Sequence, residues 1–149
     1  MEITTPVSTI LEQKGRHVWT ISPSATVYQA ISMMAQHNIG ALAVLKDERL
    51  VGTISERDYT RKVVLFGRAS QHTPVADIME RELVVVGPRD SVQDAMRKMT
   101  VNRRRHLPVI NDGKLVGMIS IGDLVNWTIS AQEMAISDLE NYVTGAYPG

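Results

Sequence analysis

Two Ser-x-x-Asp pairs carry the chemistry of this sequence. The first is Ser55 with Asp58, and the second, 65 residues later, is Ser120 with Asp123. Each pair follows a short apolar run and opens a helical pattern, so its hydroxyl and carboxylate lie at a helix N-terminus. An ionised aspartate there can accept hydrogen bonds from both hydroxyls of a ribose, and free backbone N–H groups favour phosphate. The same spacing also forms a capping box, which is purely structural. The two interpretations are compatible.

The pairs belong to a longer internal repeat. Residues 50–58 and 115–123 are identical at six of nine positions. The same offset of 65 aligns residues 18–59 with 83–124 without a gap. This register persists through several changes of hydrophobic period, which predicts a tandem duplication.

Each copy predicts the element order β-α-β-β-α. Short β-branched and apolar runs predict the strands, which are 18–21, 41–45 and 50–54 in the first copy and 83–86, 106–110 and 115–119 in the second. Apolar residues at i, i+3, i+4 and i+7 predict amphipathic helices that begin at Thr26 and Ser91. The closing helices are expected at 55–66 and 120–130. Asp112-Gly113 predicts a tight hairpin, with Asp47-Glu48 as its weaker counterpart.

These elements divide the chain into two units. We expect unit 1 at 1–66, a polar linker at 67–73, unit 2 at 74–130 and a C-terminal helical extension and tail at 131–149, frayed after 144. Segments 7–11 and 74–79 are expected as helical lead-ins to units 1 and 2. A unit of about 60 residues cannot bury both faces of its sheet, so two units should pack sheet to sheet with helices outside. Approximate two-fold symmetry then creates two equivalent clefts.

Composition and missing motifs narrow the functional classes. Sixteen basic and sixteen acidic residues cancel, so net charge favours neither nucleic acid nor an anionic membrane. With no cysteine, the chain lacks a disulfide framework, a thiolate zinc site and a cysteine nucleophile. No apolar run approaches the ~18 residues of a membrane span, and no secretory signal is visible, so a cytoplasmic location is expected. No catalytic constellation can be assembled, which argues against an enzyme.

The motifs Gly52-Thr-Ile-Ser-Glu-Arg-Asp58 and Gly117-Met-Ile-Ser-Ile-Gly-Asp123 resemble those of a CBS-domain pair, also called a Bateman module. Arg105-His-Leu-Pro-Val109 and Asp112-Gly-Lys-Leu-Val-Gly117 resemble the second and third strands of that family. The resemblance covers roughly residues 7–130 and is closest to the stand-alone class. It implies an α/β (α+β) fold of tandem CBS repeats with pseudo-two-fold symmetry.

The resemblance also implies a function. It predicts a regulatory energy- or redox-sensing module that binds an adenosine ligand, with AMP favoured over ADP, ATP, NAD(H) or S-adenosylmethionine, and that needs no metal. Filling the clefts would change the shape or rigidity of the module and so modulate a partner protein. A homodimer formed through exposed apolar helix faces is expected. No membrane partner is implied, and nucleic acid is not favoured.

The same resemblance implies the site residues. The aspartates would hold the ribose hydroxyls, and the serines would contact ribose or phosphate. The first strand of the opposite unit, 18–21 or 84–86, would lie beside the base. The expected Asp123 cleft comprises Ser120, Asp123, Met118, Arg104, Arg105, His106, Lys14, Val18, Trp19 and Thr20, with Arg16 as a helper. The expected Asp58 cleft comprises Ser55, Asp58, Thr53, Arg57, Gly40, Ala41, Val84 and Val85, with Arg61 as a further source of charge.

The flanking residues predict unequal clefts. Three consecutive arginines, Arg103 to Arg105, could bind phosphate in the Asp123 cleft or form a solvated surface. Gly40 and Ala41 would leave more room in the Asp58 cleft. His106 could be a structural imidazole, and Trp19 a core indole. The alternative function is a nucleic-acid-binding or scaffold protein that uses the arginine patch without sensing nucleotides. No role is assigned to His17, His37 or His72.

Overall fold

The structure is a computed structural model that describes residues 4–15 and 17–144. Its elements are α1 (Val7–Lys14), β1 (Thr20–Ile21), α2 (Val27–His37), β2 (Ala41–Lys46), β3 (Arg49–Ser55), α3 (Glu56–Tyr59), α4 (Val75–Ile78), α5 (Val92–Asn102), β4 (His106–Asn111), β5 (Lys114–Ser120) and α6 (Ile121–Thr144). A π-helical turn, Thr60–Val64, continues α3, and a 3-10 turn, Ser70–His72, precedes α4. The expected helper Arg16 and the tail 145–149 lie outside the described residues.

The two copies repeat one another at the level of the backbone. The bounds of α2 and α5, of β2 and β4, and of β3 and β5 each differ by 65 residues. Asn38 and Arg103, the residues that end α2 and α5, are both left-handed, with φ of 53° and 54°. The register of each hairpin shifts at the same place, at Val44/Leu45 and at Val109/Ile110. This agreement confirms the register inferred from the sequence.

Two antiparallel hairpins form the centre of the fold. β2 pairs with β3 and β4 pairs with β5, and β1 adds a parallel strand to the first hairpin. Both turn residues of each hairpin have positive φ, at Asp47 and Glu48 and at Asp112 and Gly113. Two consecutive left-handed residues match the right-handed twist of the strands they join. Both predicted hairpins are therefore confirmed.

The first strand of the second unit does not form as predicted. Within 83–86, only Val86 pairs, through a single parallel bridge to Val109. Its N–H donates to the Pro108 carbonyl at 3.1 Å, and its carbonyl accepts from Ile110 at 2.8 Å. The N and C=O of a strand residue face the same side, so the Pro108 nitrogen faces the residues before Val86 without a hydrogen to donate. The ladder therefore ends after one bridge, whereas β1 reaches two residues.

The two lead-in helices exchange places, which corrects their expected packing. Val7, Ile10 and Leu11 of α1 are buried in the core of the second unit, beside β4, β5 and α5. Val75 and Ile78 of α4 are buried in the core of the first unit. Each lead-in precedes one unit in sequence but completes the core of the other. Because of this exchange, each unit buries a helix that precedes the other unit, and the two units are held together beside the clefts.

The crossing segments explain the glycine of each Gly-x-x-Ser-x-x-Asp motif. A Cβ on Gly117 would lie 2.6 Å from Leu11 Cδ2 of α1, and a Cβ on Gly52 would lie 2.8 Å from the Glu80 carbonyl oxygen. Thr53 and Glu80 also exchange backbone hydrogen bonds at 2.8 and 3.0 Å. Glycine is thus required at both positions because backbone or side chain of the crossing segment packs directly on the strand.

The final helix is longer than the predicted closing helix. α6 runs for 24 residues without a break, so the expected extension after residue 130 continues the helix that begins beside Ser120. Its exposed apolar residues beyond the body include Met134, Ile136, Leu139 and Val143. Within the described residues, no helix combines the length and apolar character needed to cross a bilayer.

Candidate functional site

Both Ser–Asp pairs form the capping box that their spacing predicts. Asp58 Oδ2 accepts from the Ser55 N–H at 2.9 Å and from its hydroxyl at 3.0 Å, while Ser55 Oγ accepts from the Asp58 N–H at 3.2 Å. Ser120 and Asp123 repeat the reciprocal backbone bonds at 2.8 and 3.1 Å. The box fixes each carboxylate at the beginning of its helix, and only one of its oxygens, Oδ2, is used in doing so.

A lysine approaches each carboxylate from a different direction. Lys62, on the π-helical turn after α3, lies 3.3 Å from Asp58 Oδ1. Lys14, at the end of α1, lies 2.7 Å from Asp123 Oδ2 and donates to the Met118 carbonyl at 2.8 Å. Lys62 belongs to the same unit as its aspartate, whereas Lys14 precedes the opposite unit in sequence. The exchanged packing of α1 therefore delivers a predicted residue, Lys14, to the Asp123 cleft.

Each Ser–Asp pair borders a cavity of about 390 Å³. The Asp58 cavity is lined from unit 1 by Gly40, Ala41, Thr53, Ser55, Glu56, Arg57, Asp58, Arg61 and Lys62, and from unit 2 by Glu80, Asn102, Arg103, Arg104, Arg105 and His106. The Asp123 cavity is lined by Lys14, Gly15, His17, Val18, Trp19, Asn38, Ile39, Gly40, Ala41, His106, Met118, Ser120 and Asp123. Both volumes lie within the range that is usual for small-molecule sites.

The arginine cluster lies in the opposite cleft from the one expected. Arg104 and Arg105 line the Asp58 cavity and not the Asp123 cavity. The loop after each first helix reaches across to the Ser–Asp pair of the other unit, so residues 102–106 face Asp58 and residues 38–41 face Asp123. The expected sites included this crossing for the first strands. Each loop, however, was assigned to the cleft that contains the Ser–Asp pair of its own unit.

The Asp123 cavity gains an aromatic wall. Val18 and Trp19 line it as expected from the resemblance, while Thr20, which pairs with Ala43 of β2, is not among the lining residues. Trp19 stacks on His37 with ring centroids 3.4 Å apart and meets His17 edge-on at 4.2 Å. The indole is 36% exposed, so it is a cavity wall and not a core residue.

The Asp58 cavity lacks the corresponding wall. Val84 and Val85 are not among its lining residues, because the segment 83–86 forms no strand and Val84 packs on the core of unit 2. Thr53, Arg57 and Arg61 are present as expected. Glu80 instead borders the cavity through its antiparallel bridge to Thr53. This cavity is consequently lined mainly by charged groups.

His106 separates the two cavities and lines both, together with Gly40 and Ala41. A Cβ on Gly40 would lie 3.2 Å from the imidazole Cε1 and 3.3 Å from Glu56 Oε1, so the space expected beside Gly40 is filled by these side chains. Burial lowers the pKa of His106 from its usual value, and the nearby charges of Lys14 and Arg105 lower it further, while Asp123 opposes them. The shared wall is thus a neutral imidazole at pH 7.

Several residues that line the cavities were not predicted as site residues from the sequence. Asn38 and Ile39 in the Asp123 cavity, and Glu56, Lys62 and Glu80 in the Asp58 cavity, were not named there. The 65-residue register could have found Asn38 and Ile39, since they correspond to Arg103 and Arg104. Glu80 depends on a bridge between units that the sequence does not reveal. In the described part of the chain, no three His, Cys, Asp or Glu side chains converge as a metal site would require.

The fold agrees with comparisons to known proteins. The CBS domain family matches residues 5–65 and 75–130. The mitochondrial CBS domain-containing protein CBSX3 of Arabidopsis thaliana is 41% identical over 96% of this chain and 74% of its own length. A solved CBS-domain protein from Burkholderia ambifaria is 45% identical, with a TM-score of 0.83 over 86% of this chain and 96% of its own.

A CBS domain protein from Pyrobaculum aerophilum, solved in complex with AMP, is 28% identical, with a TM-score of 0.71 over 79% of this chain and 88% of its own. The family match covers most of the chain and places one CBS unit on each side of the 67–73 segment. The chain therefore belongs to the CBS-domain family and carries two CBS units in tandem.

Proposed function

We propose that the protein is a regulatory module that binds adenine nucleotides in its two clefts and modulates a partner protein. The observation that carries the proposal is the repeated placement of a helix-capping Ser–Asp pair on the wall of a 390 Å³ cavity between the units. Capping alone needs no cavity, and the box at the start of α5, formed by Ser91 and Asp94, borders neither cavity. The AMP complex of the Pyrobaculum aerophilum relative supports the same ligand class.

Recognition would use the carboxylate oxygens that capping leaves free. None of the contacts among the described residues uses Asp123 Oδ1, and Asp58 Oδ1 meets only Lys62 at 3.3 Å. A ribose with two adjacent hydroxyls can donate to these oxygens while its base enters the cleft. In the Asp123 cleft the base would lie between Met118 and the Trp19 indole, which offer apolar and aromatic surface.

Regulation follows from where the clefts lie. A ligand held by Asp58 also touches residues 102–106 of the other unit, so binding links the two halves. Such a ligand favours the arrangement of units in which both walls reach it, and the equilibrium shifts toward that arrangement. We propose that a protein partner binds one arrangement of the units better than the other. Regulation of this kind requires no catalytic group on this chain.

The nucleic-acid alternative is less consistent with the position of Arg103, Arg104 and Arg105. All three line a concave cavity together with Asp58, an arrangement that suits a small anionic ligand better than the convex backbone of a duplex. A small anionic ligand fits the same cavity without opening it. We therefore keep the adenine nucleotide as the proposed ligand.

A thermal-shift titration with AMP, ADP, ATP, NAD, NADH and S-adenosylmethionine tests the proposal. At least one of these should raise the melting temperature, because it binds the folded state only. Asp58→Asn and Asp123→Asn should each abolish binding at one cleft, measured as the loss of one site by calorimetry. Asp94→Asn is the matched control, since Ser91 and Asp94 form the same box outside both cavities.

Asp94→Asn should therefore lower the unliganded stability only slightly, as a weakened cap on an exposed surface does, and retain both sites. If none of the six ligands shifts the melting temperature at millimolar concentration, the nucleotide function is wrong. If both cleft variants bind like the wild type, the carboxylates act as caps alone.

We further propose that the protein forms a homodimer through α6. Six positions along it, five of them apolar and exposed, alternate with spacings of four and three, which is the heptad pattern of a coiled coil. The positions of this stripe are Val125, Ile129, Gln132, Ile136, Leu139 and Val143. The five apolar members are between 44% and 77% exposed. Their continuity from the body to the end of the described helix favours a second copy of α6 as the partner.

A further inference from the structure

The two cavities have equal volumes but very different charge. Six basic and three acidic side chains line the Asp58 cavity. The basic residues are Arg57, Arg61, Lys62, Arg103, Arg104 and Arg105. In the Asp123 cavity, Lys14 is the one lysine or arginine among the described lining residues and Asp123 the one acid.

The 65-residue register shows that this difference is built from substitutions at equivalent positions. The equivalents of the six basic residues in the other copy are Gly122, Asn126, Trp127, Asn38, Ile39 and Gly40, of which Asn38, Ile39 and Gly40 line the Asp123 cavity. None of them is charged. The loop after the first helix begins alike in both copies, because Asn38 and Arg103 are both left-handed, with φ of 53° and 54°. The asymmetry therefore concerns charge and leaves the shape of the loop unchanged.

Half of the basic residues in the Asp58 cavity already have partners. Lys62 lies 3.3 Å from Asp58, Arg104 lies 3.8 Å from Glu80, and Arg57 donates to the Arg103 carbonyl at 3.3 Å. Arg61, Arg103 and Arg105 form no ion pair with any residue between 4 and 144 that the structure describes. Three arginines thus border one cavity without an ion pair among these residues, and Glu56 is the one acidic lining residue for which the same holds.

Unbalanced guanidinium groups that converge on a cavity repel one another, and an anionic ligand relieves that repulsion. A guanidinium binds phosphate oxygens through two parallel hydrogen bonds, so several of them match a chain of phosphates better than a single phosphate. Among the described residues that line it, the Asp123 cleft offers one ammonium, that of Lys14, which already lies 2.7 Å from Asp123. Its histidine and tryptophan wall suits an uncharged or weakly charged group.

We infer that the Asp58 cleft selects adenine nucleotides with two or three phosphates, whereas the Asp123 cleft selects ligands with one phosphate or none. The nucleoside part of this inference rests on the proposed function. The polyphosphate part rests only on the arginines. The protein then responds to two ligand classes at once, because different adenine nucleotides of the same cellular pool bind at the two clefts.

Calorimetry with AMP, ATP and sodium tripolyphosphate, in EDTA, tests the inference on the full chain. The test variant is Arg103→Asn with Arg105→Gln, which removes two unpaired guanidinium groups. Asparagine tolerates the left-handed backbone at position 103, as it does at position 38. The matched control is Arg49→Gln with Arg89→Gln, which removes two exposed arginines that border neither cavity.

The test variant should lose about 10- to 100-fold in ATP affinity at one site, while the control binds ATP like the wild type. Asp58→Asn should remove that ATP site, whereas Asp123→Asn should retain it. In the reverse direction, Asn38→Arg places a guanidinium in the Asp123 cleft and should increase its affinity for ATP relative to AMP.

Tripolyphosphate separates the two levels of the proposal. If it binds in an arginine-dependent way while adenosine and AMP do not bind at all, the polyphosphate site stands and the nucleoside function fails. If the test variant binds ATP as tightly as the wild type, or if neither ATP nor tripolyphosphate binds the wild type, the inference is overturned. If the control pair also loses ATP affinity, the effect of the arginines is a general effect of charge, and the inference is overturned.

Discussion

The Lys14 ammonium lies 2.7 Å from Asp123 Oδ2 and ties the end of α1 to the N-terminus of α6. About a third of the lysine side chain is exposed, so solvent screens the pair and the expected coupling is about 0.5–1 kcal/mol. A double-mutant cycle with Lys14→Met and Asp123→Asn measures it by urea denaturation. Methionine is the residue that the repeat places at the equivalent position, Met79. A coupling above about 2 kcal/mol would contradict this picture of a screened pair.

The lowered pKa of His106 predicts a pH dependence of stability. Its folded-state pKa lies below the unfolded value of about 6.5, chiefly because of burial, so the unfolded chain takes up the proton first as the pH falls. His106 therefore does not lower the free energy of unfolding above pH 7, but it lowers that free energy below about pH 6. His106→Ala, with the residue found at position 41, should lose less stability between pH 7.5 and 5 than the wild type.

Denaturation of wild type and His106→Ala at both pH values measures this difference. His72→Ala is the control, since His72 is exposed and borders neither cavity. It should follow the wild type at both pH values. Equal losses in wild type and His106→Ala would show that the imidazole is not the group responsible.

At the scale of elements, Pro108 explains why one first strand forms and the other does not. Its equivalent, Ala43, has the N–H that faces β1, and β1 pairs with β2 at both Thr20 and Ile21. Ala43→Pro should remove this pairing and cost about 1–3 kcal/mol, because it leaves a strand carbonyl without a donor. Pro108→Ala should change stability by less than about 1 kcal/mol, since the added hydrogen bond is offset by a freer unfolded chain.

Hydrogen exchange distinguishes the two variants. Pro108→Ala should show a protected amide at position 108, which marks an extended ladder toward Val84. Ala43→Pro should lose amide protection around Thr20 and Ile21. A stability of Ala43→Pro within a few tenths of a kcal/mol of the wild type would mean that β1 does not depend on this donor.

The elements differ in how far local sequence determines them. Hairpins and capped helices were predictable because their signals, such as Asp112-Gly113 or Ser91 with Asp94, act over a few residues. The strand expected at 83–86 was wrong, because β-branched composition says nothing about a proline in the neighbouring strand. The exchange of α1 and α4 was equally hidden, since the apolar residues of a lead-in helix fit either core.

At the scale of the whole molecule, the clefts combine residues from both units. The spacing of Ser55 with Asp58 predicted one wall of a cleft from sequence alone. The opposite wall depends on how the units face each other, and so Arg104 and Arg105 were expected beside Asp123 but lie across from Asp58. Applying the repeat symmetry to every segment, and not only to the first strands, would have placed them correctly.

The stripe on α6 also determines how two molecules would pair. In the heptad register, β-branched residues occupy one core position (Ile129, Ile136 and Val143), and Val125, Gln132 and Leu139 occupy the other. Glu133 and Glu140 fall at the flanking e positions. An antiparallel pair would bring these glutamates together, whereas a parallel pair places them opposite uncharged residues. Charge therefore favours the parallel arrangement for the proposed dimer.

Leu139→Lys tests this dimer because it places a charge in the centre of the stripe. We expect the wild type to have twice the chain mass by light scattering after size-exclusion chromatography, and the variant to be monomeric at the same concentration. Met134→Lys is the matched control, since Met134 is as exposed as Leu139, at 65% and 64%, but lies on the outer face of the heptad. The control should stay dimeric because lysine there remains in water. A monomeric wild type, or equal dissociation of both variants, would show that this stripe does not join two copies of the chain.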